Sequence, residues 1–211
     1  MQTNRMFRKL LNKLSQSNKQ IKIDHHLSAI SKLHDIALFD ISNMLNRSES
    51  KKNDVILISI ERGGNIPATL LNYSLSDSLR EDVASGLLNI HSVHVNLSTR
   101  DRKPGSNKEA LNALKKEIER IIAKNPGCIT EGSLAIYFVE DLLDSGKTLS
   151  LLDRAFRKEI WFGGGISTLL VCYAKQTLDF YLTEGLPLRL KAGEILNTKK
   201  WLSFWYDGTS Y

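Results

Sequence analysis

The chain has 211 residues, 42% of them hydrophobic and 25% charged, which suits one domain of ordinary size with a full core. Lys, Asp or Glu interrupts every apolar stretch before it is long enough to span a bilayer, so no membrane segment is expected and the protein should be soluble. The net charge of +6 is concentrated: residues 1–22 carry Arg5, Arg8, Lys9, Lys13, Lys19 and Lys22 and no acid, leaving the remainder close to neutral. That basic start also has Met6, Phe7, Leu10, Leu11 and Leu14 at helical spacing. It reads as a helical extension over residues 1–26, docked on the domain or on a second subunit in preference to a nucleic-acid role. Cys128 and Cys172 are too few for a disulfide framework and fit a reducing, cytoplasmic setting.

The domain proper, 27–211, begins with a helix over Leu27 to Leu45, whose Ile30, Leu33, Ile36, Ala37, Ile41 and Leu45 share a face. Val55 to Ile60 is an apolar, β-branched run typical of a strand buried on both faces. Glu61-Arg-Gly-Gly64 stops it, and a helix starts at Asn65 or Pro67 and runs to about Ser74. Val93 to Leu97 reads as a strand, Ser98 to Asn107 as a polar loop, and Lys108 to Lys124 as an amphipathic helix ended by Pro126-Gly127. A strand over Leu134 to Val139, a loop over Glu140 to Gly146 and a helix over Lys147 to Lys158 follow. Ile166 to Ala174 is the last predicted strand, and the tail from Lys175 reads as irregular. Alternating strands and helices predict an α/β domain with a mainly parallel central sheet flanked by helices. In such sheets ligands bind beyond the carboxyl ends of the strands, where the loops at 61–64, 98–107, 140–148 and 175 onward all lie.

The segment Ala135 to Ser150, AIYFVEDLLDSGKTLS, carries the clearest chemistry. An apolar strand delivers Glu140 and Asp141, two aliphatic residues follow, and Asp144-Ser145-Gly146-Lys147-Thr148 opens a helix. Unpaired amides at a helix N-terminus favour a phosphate, Gly146 permits close approach, and the Ser145 and Thr148 hydroxyls add donors. Adjacent carboxylates would repel that phosphate, but they suit sugar hydroxyls or a bound Mg2+. Helix capping alone explains Asp144 and Ser145 but not the acidic pair. A nucleotide P-loop would need Gly at position 141, where this chain has Asp.

The segment resembles the phosphoribosyl pyrophosphate motif of the type I phosphoribosyltransferases: apolar strand, two acids, two aliphatics, then Asp-Ser/Thr-Gly-x-Thr. The resemblance covers about residues 28–207 and implies that family's fold, with a small C-terminal hood over the base. It further implies that Glu140 and Asp141 hold the ribose hydroxyls and Mg2+, that Ser145, Gly146, Lys147 and Thr148 bind the 5'-phosphate, and that Asp144 is the catalytic base or proton relay at the purine N7. Arg62, Gly63 and Gly64 look like the family's pyrophosphate loop, with Arg100 of the 98–107 stretch as a further cationic contact. That stretch lacks the tyrosine usual in purine enzymes, and as a solvated charged loop it is equally well explained.

Lys175 stands at a strand end where bacterial xanthine-guanine enzymes have a lysine that donates to the purine 6-oxo group. Trp201-Leu-Ser-Phe-Trp-Tyr-Asp207 resembles their tail, which makes Trp201 the ring stacked on the base and Leu202 a backbone contact. Core packing of Trp201 is the alternative. The helix at 108–124 has no counterpart in the small xanthine-guanine enzymes. The implied activity is Mg2+-dependent transfer of phosphoribosyl to guanine, xanthine or hypoxanthine by a homo-oligomer, a dimer or tetramer, in purine salvage. The other readings are a non-catalytic phosphoribosyl-pyrophosphate sensor that binds RNA or DNA, and a transferase with a non-purine acceptor.

Overall fold

A run of β-branched and apolar residues without polar alternation cannot leave either face in water, and Val55 to Ile60 and Leu134 to Val139 are buried throughout. They form the centre of a five-stranded, all-parallel sheet in a computed structural model that describes residues 20–47, 52–61, 63–97, 106–144, 146–175, 188–196 and 203–204. In chain order the elements are β1 (Gln20–Ile21), α1 (Ile23–Arg47), β2 (Asn53–Glu61), α2 (Asn65–Ser78), α3 (Arg80–Ala84), β3 (Leu88–Asn96) and α4 (Ser106–Ile122). They continue with α5 (Gly127–Thr130), β4 (Leu134–Leu143), α6 (Lys147–Phe156), α7 (Ile160–Gly163), β5 (Ile166–Lys175), β6 (Arg189–Leu196) and β7 (Ser203–Phe204).

Helices cover both faces of the sheet. On one, Leu111, Leu114, Ile118 and Ile121 of α4 and Leu149, Leu152 and Phe156 of α6 pack against Ile56, Ile58, Ile136, Phe138 and Val171. On the other, Ile30, Leu33, Ala37 and Ile41 of α1 and Leu71 and Leu75 of α2 pack against Leu57, Tyr137, Val139 and Leu170. The α/β architecture expected from the alternation of elements is present. Among the described residues no helix is long and apolar enough to cross a membrane.

The strand order β3-β2-β4-β5-β6 positions the site. From β2 the chain steps outward to β3, then crosses back over β2 to β4 and continues the other way. The order therefore reverses between β2 and β4, and a reversal opens a crevice at the carboxyl ends of the two flanking strands. The register makes the crevice visible: β2 pairs with β4 from Asp54↔Leu134 to Ser59↔Val139, whereas β4 stays paired with β5 to Leu143↔Ala174.

Several expectations need correction. Glu140 to Leu143 belong to β4 and not to a loop, because β5 continues to pair with them after β2 has turned away. The tail after Lys175 is not wholly irregular, since Arg189–Leu196 forms edge strand β6 on β5. β6 escaped the sequence reading because an edge strand, half exposed, needs no continuous apolar run. Its Gly193 also reads as a break, yet a Cβ there would stand 2.5 Å from the Ala29 carbonyl oxygen, so glycine is what lets α1 close on the edge. Ser106 and Asn107 belong to α4, β3 starts at Leu88, and α1 starts at Ile23, ahead of the expected helix start at Leu27. The two-stranded parallel pair β1–β7, Gln20↔Ser203 and Ile21↔Phe204, was not anticipated. The expected helix over residues 6–14 and most of the 98–107 stretch lie outside the described residues.

Candidate functional site

The site is built from the β2–α2 turn, the end of β4, the start of α6 and the end of β5. Along β4 the faces alternate through Val139 and then slip: Leu142 packs with Val139 on the α1–α2 side and Leu143 with Phe138 on the other. β5 slips at the same level, where Cys172 and Tyr173 both join the α1–α2 side. Glu140 and Asp141 sit at this paired irregularity, both half-exposed between buried neighbours. Beneath them Cys172 is fully buried, and burial together with the Asp141 charge pushes its thiol pKa up, so it stays protonated and inert.

The β2–α2 turn lies directly over this acidic pair. A Cβ on Gly63 would land on the Asp141 carboxylate. One on Gly64 would collide with the Val139 carbonyl oxygen and come within 2.6 Å of the Ile60 carbonyl oxygen. Both glycines are therefore demanded by close approach rather than by turn flexibility. The Gly64 amide donates to Ile60 O at 2.9 Å, which folds the turn back on its own strand.

On the other side, Gly146 adopts φ 70°, ψ 2°, the left-handed conformation that glycine takes at little cost, and serves as N-cap of α6. It has no side chain to cap the helix, so the amides of the first turn are left for another acceptor. Thr148, in that turn, donates from Oγ1 to Glu140 Oε1 at 3.2 Å and ties the amide cradle to the acidic pair. At the end of β5, Lys175 is 6% exposed and its ammonium pairs with the Asp144 carboxylate. A lysine is seldom this buried without a partner, and here the partner comes from the loop that precedes α6.

The structure thus brings together Gly63, Gly64, Glu140, Asp141, Asp144, Gly146, Thr148 and Lys175, with Lys147 exposed at the first position of α6. Arg62, Arg100, Ser145, Trp201 and Leu202 lie outside the described residues. The described β7 begins immediately after Leu202 and pairs with β1.

One group at the site was missed from sequence. Ser59, on the last rung of β2 that pairs with β4, donates from Oγ to Asn65 Oδ1 at 2.8 Å, and its Oγ lies 2.5 Å from His94 Nδ1. The available signal was a lone hydroxyl in the otherwise apolar run Val55 to Ile60 of a buried strand.

As a metal site, Glu140 and Asp141 offer two hard oxygen donors. Among the described residues no group of three or more His, Cys, Asp or Glu side chains gathers into an all-protein cage. Two carboxylates beside a helix start whose N-cap has no side chain fit Mg2+, which takes one or two protein carboxylates and fills its octahedron with water and phosphate oxygens.

No protein-family model matches the chain, and no curated protein matches it. Among solved structures it is similar to a purine phosphoribosyltransferase from Pyrococcus horikoshii Ot3, at 17% identity, over 84% of this chain and 91% of that one, with a TM-score of 0.33. At that score the likeness bears on neither substrate nor mechanism.

Proposed function

We propose that the chain is a phosphoribosyltransferase that moves the 5-phosphoribosyl group from phosphoribosyl pyrophosphate to a 6-oxopurine, releasing pyrophosphate. The observation that carries this reading is the pairing of Asp144 with Lys175 between the acidic pair and the start of α6. A carboxylate and an ammonium in contact match two adjacent features of a 6-oxopurine edge, a ring nitrogen that gives up a proton and a carbonyl oxygen that accepts a hydrogen bond. On base binding the ion pair opens, and each group takes the complementary atom of the ring.

The remaining parts follow from position. The first-turn amides of α6, with Gly146 and Thr148, hold the 5'-phosphate. Glu140 and Asp141 accept hydrogen bonds from the ribose hydroxyls, and the Thr148 bond fixes the Glu140 carboxylate for that purpose. The Gly63–Gly64 turn, with Arg62, faces the diphosphate. Mg2+ held through Glu140 and Asp141 would neutralise charge on the departing diphosphate. Asp144 takes the proton from N7, the ring nitrogen beside the 6-oxo group, as N9 forms the bond to ribose. Trp201 and Leu202 would cover the base.

A non-catalytic sensor of the same donor would need the phosphate cradle but not the Asp144–Lys175 pair. The test is an incubation of the purified full chain with phosphoribosyl pyrophosphate, Mg2+ and guanine, hypoxanthine or xanthine, with adenine and orotate as controls. The expected product is the matching nucleoside monophosphate with one pyrophosphate per turnover. No nucleotide from any 6-oxopurine would sink the purine assignment. Salt-dependent RNA binding lost on deleting residues 1–22, without turnover, would favour the sensor instead.

A further inference from the structure

We infer that Ser59, Asn65 and His94 form a clasp that sets the shape of the Glu61–Gly64 turn, making Ser59 and His94 positioning residues for the pyrophosphate end of the site. Ser59 is 1% exposed, yet its hydroxyl engages two side chains from different elements. It donates to Asn65 Oδ1, six residues on and the first residue of α2, so that bond closes across the whole turn. The hydroxyl has one proton and has given it to Asn65, so towards His94 it acts as acceptor and the imidazole presents Nδ1–H. His94 is the register partner of Ser59 on edge strand β3 and is itself exposed, which places an imidazole open to solvent at the outer end of the chain.

The turn that the clasp closes has little room to relax. Gly64 abuts the Val139 carbonyl, Gly63 abuts the Asp141 carboxylate, and Ser59 is also the register partner of Val139. The three side chains therefore fix the entry and exit of a loop whose middle is already pressed on β4. Loss of the hydroxyl would leave Asn65 and His94 without their shared partner and release the first turn of α2, where the Asn65 carbonyl also accepts from Thr69 Oγ1 at 2.8 Å. A loop that binds an anion through backbone amides depends on their orientation, and a small misplacement is costly there.

The clasp itself is independent of the reaction, whereas its role toward pyrophosphate rests on the proposed transferase reading. Two measurements on the full chain separate them. Amide hydrogen exchange in the free protein reads the clasp: Ser59→Ala and His94→Ala should speed exchange in the peptide spanning residues 60–66, while His94→Asn, which keeps a donor near the Nδ1 position, should restore it. Calorimetric titration with inorganic pyrophosphate and Mg2+ reads the role: both alanine variants should weaken binding about tenfold, the effect of losing roughly one well-placed hydrogen bond. Affinity for a nucleoside monophosphate should remain unchanged. Unaltered exchange in Ser59→Ala overturns the clasp. Faster exchange with unaltered pyrophosphate affinity overturns its positioning role. A parent protein that binds neither pyrophosphate nor a nucleotide overturns the transferase reading, with the exchange result still deciding the clasp.

Discussion

The two ends of the sheet use the same side chains for opposite purposes. At the amino end, Asp54 is 3% exposed and accepts hydrogen bonds from Asn89 at 3.2 Å, His91 at 2.9 Å and Asn125 at 2.7 Å. These donors come from β3 and from the segment after α4, so one carboxylate knots three parts of the chain together. At the carboxyl end, Glu140, Asp141 and Asp144 stand half-exposed around a glycine turn and a helix start, and the Asp144 partner is a lysine from a neighbouring strand. A buried carboxylate surrounded by fixed donors holds a fold in place. Carboxylates gathered at the rim of a crevice, where β2 and β4 part, are placed to meet something from outside.

The largest expected effect separates the ends most sharply. Asp144→Asn keeps the shape of the side chain and removes its ability to take a proton, so turnover per folded molecule should fall about 100-fold or more, with some loss of stability because the buried Lys175 ammonium keeps only a neutral acceptor. Lys175→Met should raise KM for the 6-oxopurine while donor binding survives. Steady-state kinetics on both variants decides this. If Asp144→Asn turns over like the parent, Asp144 is not the base.

Next in size is the contrast between neighbouring glycines. Gly64→Ala meets backbone, the Val139 and Ile60 carbonyls, which cannot swing aside, so a loss of about 3 kcal/mol of stability is expected. The three atoms nearest a Cβ on Gly63 all belong to the Asp141 side chain, which moves more readily than backbone. Gly63→Ala should fold nearly as well as the parent but bind donor less tightly, because the displaced carboxylate is one of the two proposed to receive the ribose. Urea denaturation paired with calorimetry distinguishes the two. Equal losses of stability would mean that Asp141 is as fixed as the backbone.

These contrasts also show what was legible in the amino-acid sequence. β2, β4 and β5 were readable because doubly buried strands are written as apolar runs, and α4 because its apolar positions recur at helical spacing. The segment 140–148 stood out as a candidate site because acids, glycine and hydroxyls at a strand-to-helix junction have few structural reasons to occur together. β6 was not, since an edge strand with a glycine resembles a loop. The extension of β4 to Leu143 was hidden because two acids at half-buried positions mimic the end of a strand, and only pairing with β5 continues it. The Asp54 knot had no local signature, and the Ser59 clasp only its hydroxyl. The partners of Asp54 are 35 to 71 residues away and Ser59 is 35 from His94, so the fold brings these together, whereas Asn65 is six residues from Ser59.

The amino end gives a pH-dependent prediction. Burial opposes ionisation of Asp54, but the hydrogen bonds from His91, Asn125 and Asn89, with the His91 charge, outweigh it and hold the carboxyl below its ordinary pKa. A carboxyl more acidic in the folded than in the unfolded chain contributes its full stabilisation above the unfolded value, about 3.9 for Asp. That contribution is lost as pH falls through the folded pKa. Asp54→Asn should therefore cost about 1–3 kcal/mol at pH 7, with the gap to the parent narrowing below about pH 3.9. Turnover per folded molecule should be unaffected. A gap that stays constant in acid would show that packing, and not charge, makes Asp54 valuable.

The smallest effect gives the finest comparison, between two glycines of the same backbone shape. Gly86, before β3 at the amino end, has φ 75° and Gly146, before α6 at the carboxyl end, has φ 70°. An L side chain in this region costs about 1 kcal/mol, so alanine at either position should lower stability by a similar small amount. A Cβ at Gly86 points into open space, and Gly86→Ala should leave ligand affinity untouched. Gly146→Ala strains the turn that opens α6, where the proposed phosphate would meet the first amides, and should weaken binding of a nucleoside monophosphate as well. Strain is common to both sites, so any affinity lost at Gly146 alone measures the cradle. Equal affinity in the two variants would move the phosphate away from the start of α6.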